Sequence, residues 1–446
     1  MKTRKVFLVC LLAIVMCCLS LIDSYGASEK APRDVGEELI PKCYEHLDLF
    51  RQKAEGQEFF PPCYQGEELA KVREWEKTWV GKRIDGTNCD QLKDLIPETL
   101  YIRLKDPKKW GYFYFDIVPY YYYRPSEGYM EATKKYLGQT KIGSKEEIVG
   151  WKAGLPFPNT KTALEFAWNI ERAYWSDDWY ARNYYVGLVD GKRHTERYFV
   201  QNVNRLFYCG RTDLEPKPEY PKEVNPDGIR FGDILFISSP ADSKGVAVLQ
   251  LRYNDCSKDD ANWTYVPAMR RIRRMSTSQR TDSAGGSDLV WDDYHGYSGQ
   301  FNKQSYKLTG RKELLLVRHQ DMTKLVRNKG ELDFSGQQRS RINTYIVEPT
   351  HKDPNYIYGK RVWYIDPESY IILYVMDWDK EGRLWKEHDL QQVIYKKQMF
   401  NPFSTPIDHQ RVHGSIAICP KEKDLTVNIG VKPDAVGLKF LLDQAH

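Results

Sequence analysis

Apolar and polar positions change rhythm several times along this chain. Lys2, Arg4 and Lys5 precede an uncharged run from Val6 to Ile22, and no later stretch is long and apolar enough to span a membrane. From Val35 to about Asp94, helix formers carry apolar positions three or four apart, most clearly at 37–40 and from Gly66 to Trp79. Pro61 and Pro62 interrupt this stretch, and Asp106 with Pro107 marks a turn. Tyr112 to Tyr123 is dense in Tyr, Phe, Ile and Val, which predicts a strand. Thr160 to Tyr174 predicts a helix, opened by Pro158, Asn159 and Thr160, with Ala163, Phe166, Ala167 and Ile170 on its apolar side.

After Tyr184 short β-rich runs recur between polar turns. They are Tyr184–Val189, Thr195–Leu206, Asp233–Ile237, Val246–Tyr253, Trp263–Ile272, Lys312–Val317, Ile342–Thr350, Tyr358–Ile365, Ile371–Asp377 and Gln391–Tyr395. Strands at this spacing without intervening helices predict an antiparallel sheet, open or curling into a barrel. Gly382, after Trp378-Asp379-Lys380-Glu381, suits a hairpin turn. One dominant sheet domain with helical additions accounts for the whole.

Composition narrows the class. With 446 residues and 41% apolar side chains the chain can bury a sizeable core and is not disordered. Aromatic residues reach 13%, led by 31 Tyr, a type suited to half-buried faces and binding clefts. The net charge of +5 is small beside 66 basic and 61 acidic residues, which disfavours nucleic acid as a partner. The basic start, the 17-residue apolar run and Ser24-Tyr25-Gly26 predict a cleaved secretory signal over residues 1–26, with a membrane anchor as the alternative. Met16 before Cys17 argues against a lipoprotein signal. The mature chain is then expected outside the cytoplasm. Its six cysteines (Cys43, Cys63, Cys89, Cys209, Cys256 and Cys419) would be disulfide-bonded there, with Cys43 to Cys63 or Cys89 the local choice. No C-x-x-C pair points to a metal, none followed by His points to haem, and no cofactor is expected.

No standard catalytic constellation appears. H-E-x-x-H, the phosphate-binding G-x-x-x-x-G-K-[ST] loop and G-x-G-x-x-G are all missing from the sequence. Gly296-Tyr297-Ser298-Gly299 lacks the spacing of a nucleophile elbow and predicts a Gly-rich turn. His409 and His413 are four apart, yet Pro406, Gly414 and the polarity around them argue against a helix presenting both. One segment stands out: Trp263, Tyr265, Arg270, Arg271, Arg273 and Arg274, followed by Asp282, Asp288, Asp292 and Asp293. As a strand, it would put Arg270, Ile272 and Arg274 on one face and Arg271, Arg273 and Met275 on the other. The plainer expectation is an ion-pair network locking the acidic loop onto the sheet. The sharper one is that some of these arginines hold a phosphate or carboxylate head group.

Four ordered stretches carry a resemblance. They are Gly154-Leu155-Pro156-Phe157-Pro158 with Glu165, Trp168, Asn169 and Arg172; Trp263 to Arg274 with Asp292-Asp293 and Gly299; Tyr306 to Glu313 with Gly310; and Tyr364-Ile365-Asp366 with Asp377 to Gly382 and Leu384-Trp385. This set resembles the family catalogued as domain of unknown function 1329. Those are exported bacterial proteins related to the outer-membrane lipoprotein-sorting (LolA/LolB-like) periplasmic carriers. The resemblance spans residues 150 to about 390. It implies an α+β fold: a large curved antiparallel sheet or half-open barrel with helices covering one mouth. With the helical entry this gives three parts, a signal at 1–26, a helical extension at 27–105 and a half-barrel domain at 106–446. The resemblance also implies a periplasmic, non-enzymatic carrier of lipid or another hydrophobic ligand, with transient membrane contact and partners in envelope transport or efflux. A structural partner in an envelope complex, or a hydrolase, are the alternatives. The carrier expectation requires a sizeable, mainly apolar pocket under the sheet.

Overall fold

The computed structural model describes residues 59–276, 280–327, 331–395, 398–400, 403–419 and 424–443. The signal segment, Cys43 and the helix expected at 37–40 lie outside these residues. The chain enters through helix Gly66–Trp79, as its periodicity predicts. Then come β1 (Arg83–Ile84), helix Glu98–Lys105, β2 (Phe115–Ile117), helix Glu127–Lys135 and the separate hairpin of β3 (Lys141–Ile142) and β4 (Ile148–Val149). After helix Ala163–Glu171, six strands follow: β5 (Asp178–Val189), β6 (Thr195–Phe207), β7 (Ile229–Ser239), β8 (Ala247–Tyr253), β9 (Ala261–Val266) and β10 (Arg271–Met275). A second series holds β11 (Gln304–Val317), β12 (Gln337–His351), β13 (Lys360–Ile365), β14 (Ile372–Trp378) and β15 (Leu384–Asp389). The hairpin of β16 (Val393–Tyr395) and β17 (Gln398–Phe400) stands apart, and β18 (Phe403–Asp408), β19 (His413–Ile418), β20 (Leu425–Val427) and helix Leu438–Asp443 complete the chain.

Sixteen strands form one sheet in the order β1-β2-β12-β13-β14-β15-β18-β19-β5-β6-β7-β8-β9-β10, with β11 beside β12 and β20 beside β5. Neighbours are antiparallel except β2 with β12. The path has two ends, so the sheet is open rather than a closed barrel. The pairing of β19 with β5 joins the two series, with Ser415 opposite Leu188. No described helix is long and apolar enough to cross a membrane.

Several expectations need correction. The run Tyr112–Tyr123 yields only the three residues of β2. Beyond it, two amides find carboxylates instead of a ladder: Tyr120 N donates to Glu76 Oε1 at 2.6 Å and Tyr123 N to Glu368 Oε2 at 2.7 Å. Such pairing satisfies buried backbone groups without strand neighbours. The helix expected from Thr160 starts at Ala163, because Thr162 and Glu165 close a capping box there. Trp263–Ile272 is two strands, split by the turn Pro267–Met269 and by Arg270 at φ 48°. Among the described residues, disulfides are not supported. Cys63, Cys89, Cys209, Cys256 and Cys419 all remain thiols.

Both faces of the sheet are covered. One face of β13–β15, bearing Val362, Tyr364 and Met376, packs with Leu314, Ile342 and the entry segment around Tyr64, Val72 and Tyr120. The other, bearing Trp363, Ile365 and Val375, packs against helix Ala163–Glu171 and the loop residues Tyr297 and Phe301. Beyond β5, Ile234, Leu249 and Tyr265 pack on the C-terminal Val436 and Leu441.

Buried arginines tie these layers together. Arg103, from helix Glu98–Lys105, meets Asp333 at 3.0 Å and Glu387 on β15 at 2.6 Å, with all three side chains 0% exposed. Arg318 binds Asp366 at 3.1 Å and also Glu368, whose carboxylate accepts from the backbone of Cys63 and Tyr123. Arg339 binds Asp389. Removing one partner of such a pair leaves a dry, uncompensated charge, at about 3–5 kcal/mol. Arg318→Met is therefore expected to lower unfolding free energy by about that amount in urea titrations. Arg273→Gln, on an exposed strand, should change it by less than about 0.5 kcal/mol; equal losses in the two variants would refute the assignment.

Candidate functional site

The segment from Arg280 to Lys303 links β10 to β11 and crosses the inner face of the sheet. Its acids are held from four directions. Asp288 accepts from His413 Nδ1 and from Ser415 Oγ at 2.7 Å. Asp292 pairs with Arg280 and accepts from Tyr356. Asp293 receives Arg361 at 3.0 Å and Tyr358 at 2.6 Å. Arg280 also reaches Asp260 at 3.1 Å. Between these ion pairs, Tyr297 and Phe301 lie on Trp363, with ring centroids 5.2 and 6.1 Å away. Gly296, at φ 85°, sits so close to Ile372 and Leu390 that a Cβ would approach them to within 2.8–2.9 Å.

The loop is thus locked onto the sheet, but by other residues than the sequence suggests. Arg270, Arg271, Arg273 and Arg274 are all exposed, and none pairs with Asp282, Asp288, Asp292 or Asp293 among the described residues. Alternation holds within β10, where Arg274 faces Trp263 and Arg273 faces Thr264. Trp263 is half-buried and Tyr265 is buried, both on the C-terminal core. The four arginines instead sit on or beside the terminal strand of the sheet, where charge blunts an unpaired edge. The structure does not bring them to a common site with Asp292 and Asp293.

What the inner face does assemble is a second set of arginines, from three neighbouring strands. Arg205 of β6, Arg230 of β7 and Arg252 of β8 surround the ring of Phe231, with guanidinium carbons 4.7, 5.4 and 5.2 Å from its centre. A cleft of about 60 Å³ opens here, bounded also by Glu171, Trp175 and the loop residue His295. Arg205 is matched by Asp233 and Arg252 by Asp260 at 2.8 Å. Arg230 pairs with Glu171, which Arg172 also engages. Burial first, and then the charges of Arg172 and Arg252, pull Arg230 down to about 9 against the opposing pull of Glu171. Burial, with Arg205 adding to it, holds His295 down to about 3, so it is neutral at pH 7.

Among the described residues, the cleft under this part of the sheet is not the sizeable apolar pocket that was expected. Ligand pockets typically measure about 300–1,000 Å³, and the loop fills this space with its own Tyr297 and Phe301. Sequence reasoning missed Arg205, Arg230 and Arg252 because they are dispersed over separate segments, Arg205 and Arg252 inside strand-like runs and Arg230 just before one. The available signal was charge at inward positions of otherwise β-patterned segments.

Two other clusters bear on chemistry. Ser415, His413 and Asp288 have the composition of a charge relay but the wrong order. The hydroxyl binds the carboxylate, and His413 Nε2 faces Glu196 at 3.3 Å instead of a nucleophile. Asp293, Asp377 and His388 bring ligand atoms within 4.8 Å of one another. Arg361 already donates to both carboxylates, at 3.0 and 2.7 Å, and Lys386 lies 3.8 Å from Asp293. Built-in cations thus supply the charge that a metal would. Burial and the Asp293 charge raise Asp377 to about 6 against the pull of Arg361, and burial holds His388 down to about 4.

Residues 83–438 match the family described as Protein of unknown function (DUF1329). A curated uncharacterized protein from Pseudomonas aeruginosa is 22% identical over 352 residues, covering 71% of this chain and 70% of that one. Among solved structures, a domain from Vibrio parahaemolyticus described as outer membrane lipoprotein-sorting is 17% identical, with a TM-score of 0.46, over 63% of this chain and 98% of its own. A DUF1329 family protein from Desulfovibrio piger is 18% identical, with a TM-score of 0.45, over 62% and 96%. A LolA superfamily protein from Nitrosomonas europaea is 13% identical, with a TM-score of 0.40, over 63% and 100%.

The His413 cluster makes a pH prediction. Burial alone would lower this histidine, but the hydrogen bond to Asp288, its charge and Glu196 together raise it above 6.5. A raised folded-state value adds stability below the unfolded value of 6.5, and that stability fades as pH climbs through the folded one. The stability difference between the native protein and His413→Gln should therefore shrink across that window. A difference that stays flat from about pH 6 to about pH 9 would contradict it.

Proposed function

The chain belongs to the DUF1329 family, and from that premise we propose that it is an exported, non-catalytic binding protein for an amphiphilic or lipid ligand, acting in the periplasm alongside envelope transport components. The reading rests above all on how the inner face is roofed. Helix Ala163–Glu171 and the small β3–β4 hairpin, through Ile142 and Ile148, cover part of it. An irregular segment covers the rest, with Tyr297 and Phe301 standing over a floor of Trp363, Ile365, Ile372, Val375 and Leu390, each no more than 5% exposed. Apolar atoms of a ligand could replace those rings against that floor at little net cost, since each buried methylene is worth about 0.8 kcal/mol.

Export is supported by the basic and apolar start of the chain. The absence of a working order in Ser415, His413 and Asp288 is consistent with binding rather than hydrolysis. Uptake in this reading requires the stretch from Gly296 to Phe301 to lift, releasing the hydrogen bonds of Ser298 to Arg252 and Arg280, while the contacts of Asp288 and Asp293 hold the preceding part of the loop.

Native mass spectrometry and organic extraction of the protein purified from its own compartment without detergent test this. A co-purifying amphiphile at about one per chain is expected. Lipid-free protein in a stable complex with another protein would overturn the carrier reading in favour of a scaffold.

A further inference from the structure

The charges that line the cleft and their immediate ion-pair partners do not balance. Arg205 has Asp233 to itself, and Arg252 with Arg280 shares Asp260 and Asp292. Arg172 and Arg230 share only Glu171 among the described residues. This leaves one guanidinium more than carboxylate. The surplus is deeply buried, with Arg172 at 3% and Arg230 at 4% exposure. Cation–π contacts absorb part of it: Arg172 lies 4.4 Å from the Trp151 ring and Arg230 5.4 Å from Phe231. They do not satisfy its hydrogens. The Nε groups of both Arg172 and Arg230 are buried without a hydrogen-bond partner.

We infer that the cleft between Arg205, Arg230 and Arg252 binds one anionic group, a carboxylate or a phosphate, as the head of the ligand. This inference rests on the binding reading above and names the chemistry of its polar end. An unpaired buried cation is costly, and a charge-assisted hydrogen bond to an oxyanion removes that cost. Guanidinium groups suit such a partner because their planar forks match carboxylate and phosphate geometry. The volume of about 60 Å³ fits a head group and not a chain. Trp175, Phe207, Ile371 and Ile372 line the same cleft, so the atoms attached to the head would meet apolar walls. The lowered Arg230 value agrees, since an anion there would restore the ordinary one.

Calorimetric titration of the full mature chain with inorganic phosphate, dodecanoate and dodecanol separates the possibilities. Dodecanoate is expected to bind at least tenfold more tightly than dodecanol, and that preference should vanish in Arg230→Gln. Arg230→Gln leaves Arg172 and Glu171 matched one to one, so the variant should fold with a Tm no lower than the native protein in phosphate-free buffer. Arg273→Gln, on the exposed strand, should keep the full preference. Dodecanoate and dodecanol binding equally would overturn the anion site while leaving the carrier reading intact. Phosphate binding that Arg230→Gln abolishes, with neither alkyl compound binding, would support the anion site and sink the carrier. No binding of any probe, or an Arg230→Gln variant with unchanged preference, would refute the inference.

Discussion

A guanidinium withdrawn from water has to meet acceptors within hydrogen-bonding distance, and this chain withdraws many, Arg211 meeting backbone carbonyls and most of the others carboxylates. Arg103, Arg318, Arg339 and Arg361 are each at most 3% exposed, and each is answered by acids from distant parts of the sequence. In so dry a setting the pairing is strong, and a misplaced partner is correspondingly destabilising. The pairs therefore act as registration points. Arg103 fixes the entry helices to β15, and Arg318 gathers Asp366, Glu368 and, through Glu368, the backbone of Cys63 and Tyr123. Arg361 joins Asp377 on the neighbouring strand to Asp293 in the crossing loop. Apolar contact supplies the bulk of the core, but these pairs decide which segment lies where.

That logic also explains what could be read from the sequence. Helix Gly66–Trp79 and strands such as β6 and β8 follow from periodicity, because their patterns answer to local geometry. β15 did not, since its Lys386-Glu387-His388-Asp389 run looks like a solvated turn. Every one of those four side chains is buried, balanced by Asp293, Arg103 and Arg339 from elsewhere. Strands β18 and β19, with Pro406 and Gly414 inside them, were hidden for a related reason. The resemblance pointed to the right family, and its quoted residues fall at structural joints. Gly154 lies where a Cβ would come within 2.4 Å of Thr133 N, and Gly299 where one would come within 2.3 Å of the Tyr297 hydroxyl.

The candidate site was legible only in part. Asp292 and Asp293 do lock the loop, as a charged run after a strand suggested, yet the matching arginines are Arg280 and Arg361. The conspicuous cluster at Arg270–Arg274 sits on the sheet's edge in solvent, where adjacent like charges carry little penalty. Four arginines close in sequence could not all be buried, whereas three dispersed over β6, β7 and β8 can be. Density of charge along the chain is thus a poor guide to density of charge in space.

The two buried polar nodes under the loop differ in one decisive respect. At the first, Arg361 and Lys386 stand against Asp293 and Asp377, with His388 held neutral, so two cations meet two anions. At the second, Arg172 and Arg230 stand against Glu171 alone. Both lie beneath the same segment and are equally dry, so solvent screening cannot account for the difference. The ion-paired guanidinium groups elsewhere in the core, Arg103, Arg318, Arg339 and Arg361, each have a carboxylate that no other guanidinium shares. Among these ion-paired nodes of the described residues, the one built on Glu171 is short of a carboxylate, and an oxyanion is the simplest species that completes it.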